Sequence, residues 1–187
     1  MIVTWNFGGQ ITSSTAPTFL PPVGTNFTGS VIFNTAPTGT VSPDGTHADW
    51  DNATITSFNL DGPASKWNNM VLPNTSGTIT VDNGAALDQL VFRTLEGEFV
   101  VTLTFQQHGS NPDALSSVSP PSSPPLLSKF DVATFSIVDH DLNGGPPGPG
   151  GRSSGVITSL TGPRRCRCGP IWTMVSQLLR RIRGGNG

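Results

Sequence analysis

The sequence contains no tyrosine and only two cysteines, and charged residues make up just 12% of its 187 residues. Both cysteines, Cys166 and Cys168, lie near the carboxyl end, so a disulfide framework is excluded for the rest of the chain. No apolar run reaches the roughly 18 residues that a membrane-spanning helix needs. No signal peptide precedes the first strand pattern, so we expect that any export signal has been removed from this sequence.

Acidic residues are missing from the end of the chain. All twelve precede Gly162, where only four basic residues accompany them, and this body carries a net charge of −8. The last 25 residues carry six arginines and no acid. We therefore predict that the body does not bind nucleic acid, and that any affinity for anionic surfaces lies in the tail.

The chain is rich instead in turn-forming residues, with 22 glycines and 17 prolines between short stretches of alternating apolar and polar residues. This pattern is typical of many short antiparallel strands. Near the start of the chain, Val3, Trp5 and Phe7 fall on one face of such a strand, and Trp5 is expected to lie in the core. We predict an all-β fold, an antiparallel, jelly-roll-like β-sandwich of eight or nine strands over residues 1–161. Residues 162–187 are predicted to form a basic tail, either a short amphipathic helix or a disordered segment.

The stretch from Asn26 to Leu60 illustrates the pattern, with a strand at each end and a long loop at residues 35–52 between them. In the second strand the alternation slips once between Ile55 and Phe58, as a β-bulge would produce. Residues 89–94 and 99–106 should form a hairpin. The Pro- and Ser-rich residues 108–128 are expected to be a surface loop or flexible insertion.

Two sets of residues are candidate ligand sites. Asp139, Asp141 and Asn143 match the opening of a calcium-binding loop, although glycine stands at the twelfth position, where an acid is expected. The alternative is a polar turn, so calcium is the one candidate cofactor. In the long loop, Trp50 offers a flat face for stacking on a sugar, with Asp49 and Asp51 beside it. A second oxygen site would combine those two carboxylates with Asp44.

Catalytic patterns are weak. Residues 151–155 satisfy the letters G-x-S-x-G, but a strand follows where the hydrolase elbow requires a helix. Glu96 and Glu98 lie at a hairpin tip, where solvated side chains are the usual state. The three histidines show no metal-ligand spacing and are interpreted as surface residues. We therefore predict that the protein is not an enzyme.

The tail combines apolar and basic residues at helical spacing. Trp172, Arg180, Arg181 and Arg183 would contact an anionic membrane surface if this segment forms an amphipathic helix. Docking of the segment on the acidic body and a disordered tail are the alternatives.

Three stretches carry a resemblance to a known family: residues 27–34 (FTGSVIFN), 47–58 (HADWDNATITSF) and 130–139 (FDVATFSIVD), with 155–160 (GVITSL). Together they resemble the ectodomains of bacterial PEP-CTERM proteins, which are secreted, β-rich and sorted by an exosortase. The tail differs, because Gly162-Pro-Arg-Arg stands where the family has Val-Pro-Glu-Pro. The resemblance implies a location outside the cell or on its outer surface, and an association with exopolysaccharide, the cell envelope or the biofilm matrix.

The leading expectation is therefore a non-enzymatic structural or adhesion protein of the bacterial surface. A lectin-like, calcium-dependent carbohydrate-binding module is the first alternative. A membrane-surface protein acting through its basic tail is the second.

Overall fold

The computed structural model describes residues 1–15, 20–36, 38–51, 55–61, 70–73, 76–96, 99–139 and 151–162. Within these ranges the chain is antiparallel β-structure with one short 3-10 helix at Leu127–Lys129. The all-β prediction is confirmed. Within the same ranges, no helix has the length and apolar character needed to cross a membrane.

Eight strands have seven residues or more and three are shorter. The strands are β1 (Ile2–Ser14), β2 (Asn26–Asn34), β3 (Gly39–Val41), β4 (His47–Trp50), β5 (Ile55–Asp61), β6 (Met70–Pro73), β7 (Ser76–Asn83), β8 (Leu87–Glu96), β9 (Phe99–His108), β10 (Val132–Asp139) and β11 (Arg152–Thr161). The short strands account for the excess over the eight or nine that the sequence predicts. Strand β11 ends next to the predicted boundary between body and tail, and the tail itself lies outside the described residues.

All eleven strands belong to one sheet, in the order β3-β4-β7-β8-β9-β10-β11-β1-β2-β5-β6. The sheet curls into a half-barrel and brings β5 close to β7 and β8 across the interior. In place of two stacked sheets, one sheet folds over its own apolar face. Sheet twist explains this, because each strand is rotated by about 20° from its neighbour and the rotation accumulates over eleven strands.

The core lies inside the curl. On β1 the alternation predicted from the sequence is confirmed, since Val3, Trp5 and Phe7 are all buried. The Trp5 ring meets Phe33 of β2 and Phe92 of β8 edge to face, with ring centroids 5.0 and 5.5 Å apart. Because β8 lies four positions from β1 in the sheet, this contact forms only when the sheet curls.

Two local predictions are confirmed. Strand β2 pairs with β5, and the register passes from Ile32↔Ser57 to Phe33↔Ile55. This leaves one extra residue on β5, so the bulge lies where the alternation slips. Strands β8 and β9 form the expected hairpin, which closes at the pair Glu96↔Phe99.

The loop predicted at residues 35–52 is wrong in part, because it contains β3 and β4. These strands form a hairpin, and β4 also pairs with β7. The turn between them is stabilised by Asp44, whose Oδ1 accepts hydrogen bonds from Ser42 Oγ and Thr46 N. The Ser42 hydrogen bond, the largest contribution, helps to lower the pKa of the Asp44 carboxyl to about 2. These strands have only three and four residues, which is too short for a period-two pattern to be recognised among the surrounding turn residues.

The seam between β1 and β11 joins the two ends of the body and contains two register shifts. Gly155 pairs with Ile11 across this seam, and the strands are so close that a Cβ atom on Gly155 would lie 2.3 Å from the Gln10 carbonyl oxygen. Backbone atoms cannot move aside as a flexible side chain does. Glycine is therefore required here for the strands to approach.

We expect Gly155→Ala to lower the free energy of unfolding by about 3 kcal/mol, because the new methyl group must displace the β1 backbone. Gly84→Ala is the matched control, since a Cβ atom there meets only Leu87 O at 3.5 Å, an ordinary contact. Denaturant titration of both variants measures the difference. Equal stabilities would show that the seam is not closely packed.

Candidate functional site

The residues predicted to bind a sugar are placed by β4 rather than by a loop. Trp50 ends the strand, and its Nε1 donates a hydrogen bond to the Val118 carbonyl oxygen at 3.0 Å. The ring packs against the core and lies over Gly39, where an added Cβ atom would come within 2.5 Å of Trp50 Cε3. Trp50 therefore secures the segment around Val118, and these contacts favour a structural role over sugar stacking.

The neighbouring Asp49 belongs to a polar cluster on the opposite face of β4. His47 Nδ1 lies 2.6 Å from Asp82 Oδ1, and His47 Nε2 lies 3.1 Å from Asp49 Oδ2. Asp49 also accepts a 2.6 Å hydrogen bond from Thr80 Oγ1. On the other side, Asp82 accepts from Gln89, which in turn accepts from Gln106. The cluster thus ties β4, β7, β8 and β9 together through side chains.

Electrostatics in this cluster follow from its hydrogen bonds. The hydrogen bond with Asp82, reinforced by that with Asp49, raises the pKa of His47. The Thr80 hydroxyl, followed by His47, holds the pKa of Asp49 below its ordinary value. Both ring nitrogens of His47 are hydrogen-bonded to carboxylates of the sheet, so the imidazole has a structural role.

The predicted calcium loop is described only at its start. Asp139 is the last residue of β10 and pairs with Phe99 of β9, while Asp141 and Asn143 lie outside the described residues. Asp51 follows β4. The carboxylate of Asp44 already accepts the hydrogen bonds that stabilise its own turn. Over the described part of the chain, no group of three or more His, Cys, Asp or Glu side chains is arranged to hold a metal ion.

The remaining candidate residues are a buried serine, an exposed histidine and the residues of the tail. Ser153 of the G-x-S-x-G letters is fully buried in β11, where its hydroxyl hydrogen-bonds with Pro21 O at 2.9 Å and Ser14 Oγ at 2.8 Å. His108 is exposed and pairs with Asp131 at 2.9 Å. The membrane-contact candidates Trp172, Arg180, Arg181 and Arg183 lie outside the described residues.

The sheet surface that points away from the core carries rows of hydroxyl-bearing and β-branched side chains. We call the side chains of these rows on β7–β11 the outer face. One row runs straight across five strands as Thr80, Val91, Thr104, Thr134 and Val156. The row beside it reads Thr78, Arg93, Thr102, Ser136 and Ser154. Nine of these ten side chains are uncharged.

The segment between β9 and β10 packs against the core. Residues 108–128 are predicted to be a surface loop or flexible insertion, but Leu115 is buried in the core, and Val118 and Leu127 pack against it. Phe130, just beyond this stretch, is buried as well. The prediction was wrong because it weighed the Pro and Ser content above these apolar residues. Apolar residues such as Leu115, Val118 and Leu127 in a Pro- and Ser-rich stretch indicate that the stretch packs against the core.

A fully buried carboxylate holds this segment in place. Asp88 of β8 accepts a 2.8 Å hydrogen bond from Leu115 N. In the amide orientation that satisfies both of its neighbours, Asn83 donates to the other Asp88 oxygen at 3.2 Å and accepts from Ser117 N at 2.9 Å. A buried charge is expensive unless hydrogen bonds satisfy it, so backbone donors of the segment and Asp88 stabilise each other.

No protein-family model, curated protein or solved structure matches the chain.

The His47 cluster makes stability depend on pH. Because folding raises the pKa of His47, its contribution is complete below the unfolded value of about 6.5 and is lost as pH rises through the folded value. We expect His47→Gln to lower the melting temperature by about 2 °C at pH 5.5, a small effect because the side chain is 43% exposed. The two proteins should converge by pH 9. A difference that persists unchanged from pH 5.5 to 9 would contradict this assignment.

Proposed function

We propose that the protein is a non-enzymatic surface module that contacts neutral polysaccharide through the outer face. The observation that supports this proposal is the pair of cross-strand rows centred on Thr104 and Thr102. Their side chains repeat about every 4.8 Å across the strands and about 6.7 Å along them, and seven of the ten carry a hydroxyl. Each hydroxyl both donates and accepts hydrogen bonds, as the hydroxyls of a sugar do.

The low charge of the outer face favours a neutral partner. Arg93 is the one charged residue of the two rows, so no array of cations is available there for an anionic polymer. Methyl groups of Thr and Val lie between the hydroxyls and offer apolar area to the C–H faces of sugar rings. A polysaccharide would combine many weak contacts of this kind, and repetition along a polymer converts them into useful avidity.

The resemblance to PEP-CTERM proteins supports a location outside the cell or on the outer surface of a bacterium, with exopolysaccharide and other envelope components as partners. A structural or adhesive role in the envelope or biofilm matrix suits a sheet that exposes a broad polar surface. The basic tail would add a contact with an anionic membrane surface through Trp172 and the arginines at 180, 181 and 183.

We expect the purified full chain to be retained on insoluble neutral polysaccharides such as cellulose, chitin or a purified bacterial exopolysaccharide. Thr104→Lys should reduce the retained fraction about fivefold, because an ammonium group in the centre of the row replaces a hydroxyl and must be desolvated on contact. Co-sedimentation measures the bound fraction.

Ser110→Lys is the matched control, since it adds the same charge at an exposed serine outside the outer face. Thermal melts confirm that each variant is folded. Retention that is equal for Thr104→Lys and Ser110→Lys would contradict contact through the outer face. Failure of the unaltered chain to bind any neutral polysaccharide would contradict the proposed function itself.

A further inference from the structure

The segment between β9 and β10 lines a half-open surface cavity of about 470 Å³. Among the described residues its wall consists of five serines, four prolines, Thr35, Ala114 and Leu115, none of which carries a charge. The volume lies in the range of pockets that bind small molecules. It belongs to the part of the fold that Asp88 and Trp50 hold in place.

The chemistry of the wall selects one class of ligand. Pro120, Pro121, Pro124 and Pro125 have no backbone N–H, so their stretches of chain present carbonyl acceptors and C–H surfaces. The serine hydroxyls add groups that donate or accept. A ligand that fits must bring several hydrogen-bond donors and carry no charge, since an ion would lose its hydration without gaining a counter-charge.

The cavity is built on a fixed frame. Gln107 Oε1 accepts hydrogen bonds from Asp113 N at 2.8 Å and Ala114 N at 2.7 Å, next to the position where Asp88 holds Leu115. Lys129 Nζ donates a hydrogen bond to Asp113 Oδ2 at 2.8 Å and so joins the end of the segment to its beginning. Anchoring at several points reduces the ordering cost that a ligand would otherwise meet on binding.

We propose that this cavity is a subsite for one neutral sugar unit, at the end or within a branch of the polysaccharide. The proline rings pack against the C–H face of the sugar, and the serine hydroxyls and backbone carbonyls bind its hydroxyls. This inference rests on the proposed function, because it names the unit that the protein would select from a neutral polymer. The outer face supplies broad contact, and the cavity supplies selectivity.

The test is ligand-observed NMR and calorimetry on the full chain, with glucose, galactose, mannose and N-acetylglucosamine as neutral probes. Glucuronate and glucosamine serve as charged counterparts. We expect at least one neutral sugar to bind and the charged forms to bind more weakly. Ser122→Phe, which fills the cavity from an exposed lining position, should weaken binding about tenfold or more.

Ser110→Phe is the matched control, because it places the same ring at an exposed serine of the same segment outside the cavity. Ser123→Phe repeats the test at a second lining position if Ser122→Phe does not fold. Binding that Ser122→Phe and Ser123→Phe leave unchanged would overturn the site. The absence of binding by every neutral probe, or a preference for a charged one, would overturn the ligand class.

The two proposals fail in different ways. Retention on polysaccharide that survives Ser122→Phe, with no neutral sugar bound by the cavity, would overturn the subsite and leave the proposed function in place. A neutral sugar that binds in the cavity of a protein not retained on any polysaccharide would overturn the proposed function and support the subsite.

Discussion

Burial of a single apolar sheet face determines the shape of this protein. In the part of the chain that the structure describes, all strands belong to one sheet, so its apolar face is removed from water when the sheet curls. The edge-to-face contacts of Trp5 with Phe33 and Phe92 lie where the curl brings β1, β2 and β8 together. Such aromatic pairs add roughly 1 kcal/mol beyond their buried area.

Curling leaves an open side, and the segment between β9 and β10 covers part of it with Leu115 and Phe130. The same segment lines the surface cavity, so one feature serves both stability and the proposed recognition. Asp88 links the two, because its buried carboxylate needs the backbone donors that fix the cavity wall. The polar outer face is the other consequence, since strand alternation places Thr and Ser outside wherever large apolar residues lie inside.

Alternation of side chains predicted the strand content, the buried position of Trp5 and the bulge on β5. These follow from local sequence, because a period-two pattern records which side of a strand faces the core. The number of sheets and the order of their strands depend on contacts between distant residues and were not predictable in this way. The roles of Asp88 and Trp50 escaped prediction for the same reason, since their partners Leu115 and Val118 are 27 and 68 positions away.

The sheet curls until β1 and β8 face each other across the core. A double-mutant cycle with Trp5→Leu and Phe92→Leu measures it most directly, through the free energies of unfolding of the wild-type protein, both single variants and the double variant. The structure predicts a coupling energy of about 1 kcal/mol, because the two rings are in contact. Strictly additive effects, with no measurable coupling, would contradict the curled sheet.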